Sequence, residues 1–236
     1  MNRQIVLDTE TTGLEPELGH RVIELGAIEL KNRRPTGRQF HYYINPERAS
    51  DDAALRVHGI ADEFLLDKPK FGEIVALFLD YVDGAELIIH NAPFDVAFLN
   101  HELARLDMPP ITNACPVITD TLRLARELHP GKRNSLDALC ERYQIDNASR
   151  TLHGALLDAQ LLAEVYLAMT RGQESLLAGL AVDSPSEAEA QTSEVYEVTV
   201  QKASVAELVE HARYLEDLDN ASNGACVWKG LATRPG

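Results

Sequence analysis

A chain of 236 residues, 45% of them hydrophobic, is long enough for one ordinary domain plus a further segment, with the apolar content for a real core. Its net charge of −15 excludes an unaided grip on long stretches of phosphate backbone, because sequence-independent nucleic-acid binding rests on Lys and Arg. Three scattered cysteines, Cys115, Cys140 and Cys226, exclude a disulfide framework; with no signal peptide and no run of about 18 apolar residues, a cytoplasmic setting and no membrane span are expected.

The first element is a β-branched run, Ile5 to Leu7, that rises into Asp8-Thr9-Glu10 before a Thr-rich turn closes on Gly13. Val22 to Leu30 alternates as a second strand. Asn32 to Gly37 reads as a turn into a third, Phe40 to Ile44, so the three form an antiparallel meander. Short helices are expected over 51–57 and 61–66. Phe71, Ile74, Val75, Phe78 and Leu79 fall at helical spacing and predict a helix over 71–82. A buried-type strand, Glu86 to His90, leads through Asn91-Ala92-Pro93 into a helix over 94–106. Strand, turn, helix marks a crossover unit. Another strand, 117–120, precedes helices over 122–128 and 136–143, the latter with Ser135 as N-cap. The last long helix runs over 154–169. This order predicts an α/β fold built on a mixed five-stranded sheet flanked by helices.

Past Arg171-Gly172 the composition changes. Residues 180–195 have linker character, and 195–200 and 203–218 regain enough apolar content for a short strand and a helix. From Gln173 onward eleven acids face four Lys or Arg, too polar a segment to hold a core alone. The expected division is 1–172, a first domain; 173–194, a linker; and 195–236, a tail.

Four acids stand where elements begin or end. Asp8 and Glu10, two apart on a strand, lean to one face, about 7 Å apart along it. Like charges so placed are costly unless a cation lies between them, and hard oxygen ligands suit Mg²⁺ or Mn²⁺. Asp95 opens a helix after a central strand, where open α/β sheets build their sites, although a first-turn acid is also favoured by the helix dipole. His153 and Asp158, five apart, would lie about 140° apart on one helix. They converge only if His153 sits in the loop while Asp158 points in from the helix.

In combination the three segments, D-x-E, N-x-x-F-D and H-x4-D, resemble the Exo I, Exo II and Exo III motifs of the DEDDh family of 3′→5′ exonucleases. The resemblance covers residues 1 to about 170 and implies a ribonuclease-H-like fold. Residue by residue it implies that Asp8, Glu10, Asp95 and Asp158 bind two Mg²⁺ or Mn²⁺ ions, with Glu10 and Asp158 also near substrate. It implies that His153 is the general base. His58, in Val57-His58-Gly59-Ile60, resembles a segment lining the pocket for the 3′-terminal nucleotide, although Ala53 stands where the family often has an acid. Gln173-Glu174-Ser175-Leu176-Leu177 resembles a sliding-clamp-binding peptide, which assigns Gln173, Leu176 and Leu177 to the clamp.

The tail narrows the resemblance to proofreading exonucleases of bacterial replicative DNA polymerases. The implied partners are a DNA 3′ end, the polymerase catalytic (alpha) subunit, the sliding clamp and a small theta-like accessory subunit. Val227 and the single tryptophan, Trp228, are the expected polymerase anchors. Two alternatives remain at this point: an RNA-trimming exoribonuclease with the same site, since the motifs do not read the 2′-hydroxyl, and a non-catalytic adaptor between clamp and polymerase.

Overall fold

The computed structural model describes residues 3–148, 150, 152–171 and 203–222. The chain divides into two compact units, Met1–Val182 and Asp183–Gly236. In the first, β1 (Arg3–Thr11), β2 (Val22–Lys31) and β3 (Arg34–Tyr43) form the expected antiparallel meander. β4 (Glu86–Ile89) and β5 (Ile118–Asp120) run parallel to β1 on its other side, giving the order β3-β2-β1-β4-β5. The helices are α1 (Asp52–His58), α2 (Asp62–Leu65), α3 (Phe71–Val82), α4 (Ala92–Ala104), α5 (Thr121–Leu128), α6 (Leu136–Tyr143) and α7 (Ala155–Met169).

The period-2 pattern of β1 divides the core. Ile5 and Leu7 point to the side covered by α3 and α4, where Ile74, Val75, Phe78, Phe98 and Leu99 are buried with them. Val6 points to the opposite side, against Leu139 of α6 and Leu161, Leu162 and Val165 of α7. Asp8 and Glu10 continue the Val6 parity, so they emerge on the α7 side. Thr9 continues the other parity, toward α4.

The seating of α7 depends on one glycine. Gly26 pairs with Asp8 across the β1–β2 ladder, and a Cβ built on it would lie 2.2 Å from the backbone nitrogen of Leu156. No side chain fits there. The first turn of α7 therefore rests on β2 beside Asp8. The Glu24 carboxylate completes the seat by accepting from the Ala155 N–H at 3.1 Å, and His41 Nε2 holds its other oxygen at 2.7 Å.

Two of the boundary differences from the sequence expectation have a clear physical cause. The turn before β3 is only Asn32-Arg33, both with positive φ (50° and 61°), so β3 begins at Arg34 and includes Pro35. Proline is tolerated because β3 is an edge strand, and Arg33 is held in place by bonds to Thr170 Oγ1 (2.8 Å) and the Leu167 carbonyl (3.1 Å). Helix α4 starts two residues early, at Ala92, with Pro93 in its first turn.

In the second unit, α8 (Val205–Ala221) opens on a capping box between Ser204 and Glu207, and no residue of this helix is buried. The expected strand over 195–200, the clamp-like peptide at 173–177, and Val227 and Trp228 lie outside the described residues. Among the described residues no helix is long and apolar enough to cross a membrane.

Candidate active site

The C-terminal ends of β1 and β4, the N-terminus of α4 and the loop before α7 enclose an open cleft of about 780 Å³. Asp8, Glu10, Asp95, His153 and Asp158 all line it. Strand pairing and helix seating account for each placement. Asp8 and Glu10 project from β1 toward α7, and Asp158 comes back from the first turn of α7. Asp95 reaches in from α4 and is buried. Its carboxylate accepts from the Thr9 backbone N–H at 3.1 Å and from the Thr9 hydroxyl at 2.7 Å. His153 lies in the loop, as convergence with Asp158 requires, with its backbone N–H donated to the Val57 carbonyl at 3.2 Å.

The cleft is crowded with negative charge. Asp8, half-buried on its floor, is held well above the usual carboxylate range by desolvation first, then by Asp95, Glu10 and Asp158. Glu10 is pushed up to about 8, again by desolvation first, then by Asp158, Glu24 and Asp95. Burial also raises Asp95 against the lowering effect of its Thr9 hydrogen bonds. Burial is the first cause of each shift, and neighbouring carboxylates add to it at Asp8 and Glu10. Ligand atoms of Glu10, His153 and Asp158 lie within 4.8 Å of one another. A set of hard carboxylate oxygens with one imidazole, at a site that resists ionisation, fits divalent cations of the Mg²⁺ type.

His58 lies in a second cavity of about 400 Å³ that shares Thr9, Glu10 and Phe94 with the cleft. Its Nδ1 accepts from the Ile60 N–H at 3.0 Å, so the proton of the neutral ring is on Nε2. That nitrogen is buried without a partner among the described residues. Leu14, Val57 and Phe94 supply an apolar lining beside it.

Sequence reasoning missed Arg150. Its guanidinium forks onto Asp158 at 2.6 and 2.7 Å. A lone basic residue three before His153 was the available signal. It also missed Glu24, whose carboxylate seats α7, because a buried acid in a strand carries no motif. Arg126 and Lys132 bring further positive charge to the cleft wall.

The comparisons agree with this architecture. The RNase_T family model, described as exonuclease, matches residues 5–166. The chain belongs to this exonuclease family. Exonuclease-family relatives named DNA polymerase III subunit epsilon resemble it over nearly the full length. That of Escherichia coli (strain K12) is 51% identical over 97% of this chain and 98% of the relative. That of Haemophilus influenzae is 49% identical over 96% and 94%. Among solved structures, the nuclease domain of 3′hExo, a DEDDh family member bound to rAMP, superposes with a TM-score of 0.63 at 18% identity, covering 72% of this chain and 92% of that one. Exonuclease X in complex with 5′ overhanging duplex DNA gives 0.58 at 22%, covering 72% and 93%. At these identities the structural likeness concerns the fold, and it bears out the ribonuclease-H-like mixed sheet.

Proposed function

We propose that this protein is the proofreading 3′→5′ DNA exonuclease of a bacterial replicative polymerase, hydrolysing the terminal phosphodiester to release nucleoside monophosphates. The observation that carries the reading is the convergence of four carboxylates and one imidazole in the cleft of an exonuclease-family chain. Asp8, Glu10, Asp95 and Asp158 would hold two Mg²⁺ or Mn²⁺ ions. Such ions, when bound, neutralise charge on the scissile phosphate and lower the pKa of the attacking water.

The remaining roles belong to the chain itself. His153, exposed at the cleft mouth, takes the proton from the attacking water through a ring nitrogen. The His58 Nε2–H, free to donate, fits an acceptor on the 3′-terminal nucleotide, whose base would lie against Phe94, Val57 and Leu14. Glu10, which lines both cavities, and Asp158 of the cleft would also contact this nucleotide. Arg126 and Lys132 suit phosphates farther up the strand. The epsilon naming of the full-length relatives favours DNA over an RNA-trimming role, and the intact acid set argues against a non-catalytic adaptor.

The partner assignments rest on the relatives' name and on the sequence. That name supports association with the polymerase catalytic subunit and, with it, a cytoplasmic setting. Gln173, Leu176 and Leu177 suit a sliding clamp, Val227 and Trp228 the polymerase, and a theta-like subunit is a further candidate.

The test is a rate comparison on a short single-stranded DNA in Mg²⁺. Asp8→Ala should fall to background while remaining folded by circular dichroism. His153→Ala should lose about 10²- to 10⁴-fold, the usual share of a general base. Full activity in Asp8→Ala would overturn the reading.

A further inference from the structure

Arg150 engages Asp158 and His153, two of the three groups whose ligand atoms cluster in the cleft. Its side chain is only 6% exposed, and Asp158 beside it 5%. Nε donates to Asp158 Oδ1 at 2.6 Å and Nη2 to Oδ2 at 2.7 Å, so one fork uses both oxygens of the carboxylate. Nη2 also donates to His153 Nδ1 at 3.0 Å, and Nη1 bonds the exposed Asp137 of α6. Two consequences follow. The fork takes the inner lone pair of each Asp158 oxygen, so a divalent ion cannot chelate the carboxylate from the side that the guanidinium fills. A neutral imidazole that accepts at Nδ1 carries its proton on Nε2, so His153 held in this way has no lone pair to offer water.

We propose that Arg150 is a positioning residue that stands in for the divalent cations: it keeps the metal-free site assembled but inactive, and metal binding displaces it from Asp158. The proposal rests on the metal reading above. Without the guanidinium, the buried Asp158 would face Asp8 and Glu10 with its charge uncompensated, which is strongly destabilising. With a divalent ion on the same carboxylate, the guanidinium would instead be repelled. Asp137, at the cleft wall, gives Arg150 a second anchor on which to remain once it has left Asp158. The same release frees His153 Nδ1. One residue thereby couples the presence of metal to the availability of the base.

The experiment is a Mn²⁺ titration of the full-length protein, with free Mn²⁺ read by electron paramagnetic resonance, alongside thermal melting in EDTA. Wild type is compared with Arg150→Met and Arg150→Lys. Removing the competitor should tighten Mn²⁺ binding in Arg150→Met by about tenfold or more, the equivalent of one charge-assisted hydrogen bond, while its EDTA melting temperature falls. Arg150→Lys keeps the charge but loses the fork, so it should fall between. Unchanged or weaker Mn²⁺ affinity in folded Arg150→Met overturns the proposal. If that variant does not fold in EDTA, an affinity in Arg150→Lys no tighter than wild type overturns it equally. Absence of Mn²⁺ binding by wild type would instead remove the metal reading, and this proposal with it.

Discussion

Glu10 shows what the acid cluster costs the protein. Its ordinary pKa is 4.5, and in the folded cleft it rises to about 8. Below pH 4.5 it is protonated whether the chain is folded or not. Between 4.5 and about 8 the unfolded chain gives up the proton while the folded chain keeps it, so folding stability falls with rising pH across that window. In EDTA, urea unfolding of Glu10→Gln should therefore match wild type near pH 4.5 and exceed it at pH 8. No gain at pH 8 would contradict the electrostatic account. Divalent ions act in the opposite direction: binding must expel the protons that Asp8 and Glu10 retain, so affinity should rise with pH. These acids were legible in the sequence because each stands at the end of a periodic element. Arg150 was not, since it reaches Asp158 from a loop and no periodicity predicts a contact made by chain reversal.

Elements set the site through their seating. The parity of β1, read from alternation alone, already sent Asp8 and Glu10 to one face, and the structure puts α7 on that face. Gly26 is why α7 approaches so closely, yet a glycine within a strand pattern does not announce which helix will lie on it. The turn before β3 was misjudged for a different reason. Pro35 and Gly37 are turn residues by composition, but an edge strand accepts both, with Gly37 at φ 83° where the β2–β3 register shifts. Helix α8 is a further element with a role to test. Val205, Leu208, Val209 and Tyr214 are exposed on it, and nothing in its own described segment covers them. Deleting residues 195–236 should leave hydrolysis of short single strands intact and abolish co-purification with the polymerase catalytic subunit. Retained co-purification would place that contact elsewhere.

At the scale of the molecule, a net charge of −15 and a nuclease cleft are compatible if electrostatic grip is not the source of substrate affinity. A tethered exonuclease has a high effective concentration near the primer end, so modest affinity from a few basic residues, such as Arg126 and Lys132, suffices. An acidic surface would then limit idle binding to other DNA, while divalent cations, on the proposed reading, would supply positive charge only where the phosphate is cut. The central claim is hydrolysis from the 3′ end by a metal-loaded acid cluster. It is tested most directly by incubating the full-length protein with 5′-labelled DNA carrying a mismatched 3′ terminus, with Mg²⁺ or with EDTA, and resolving the products by length. A ladder shortening one nucleotide at a time in Mg²⁺ and intact substrate in EDTA are expected. Release of the 5′ label as a mononucleotide at the earliest times, or equal cleavage in EDTA, would contradict the claim.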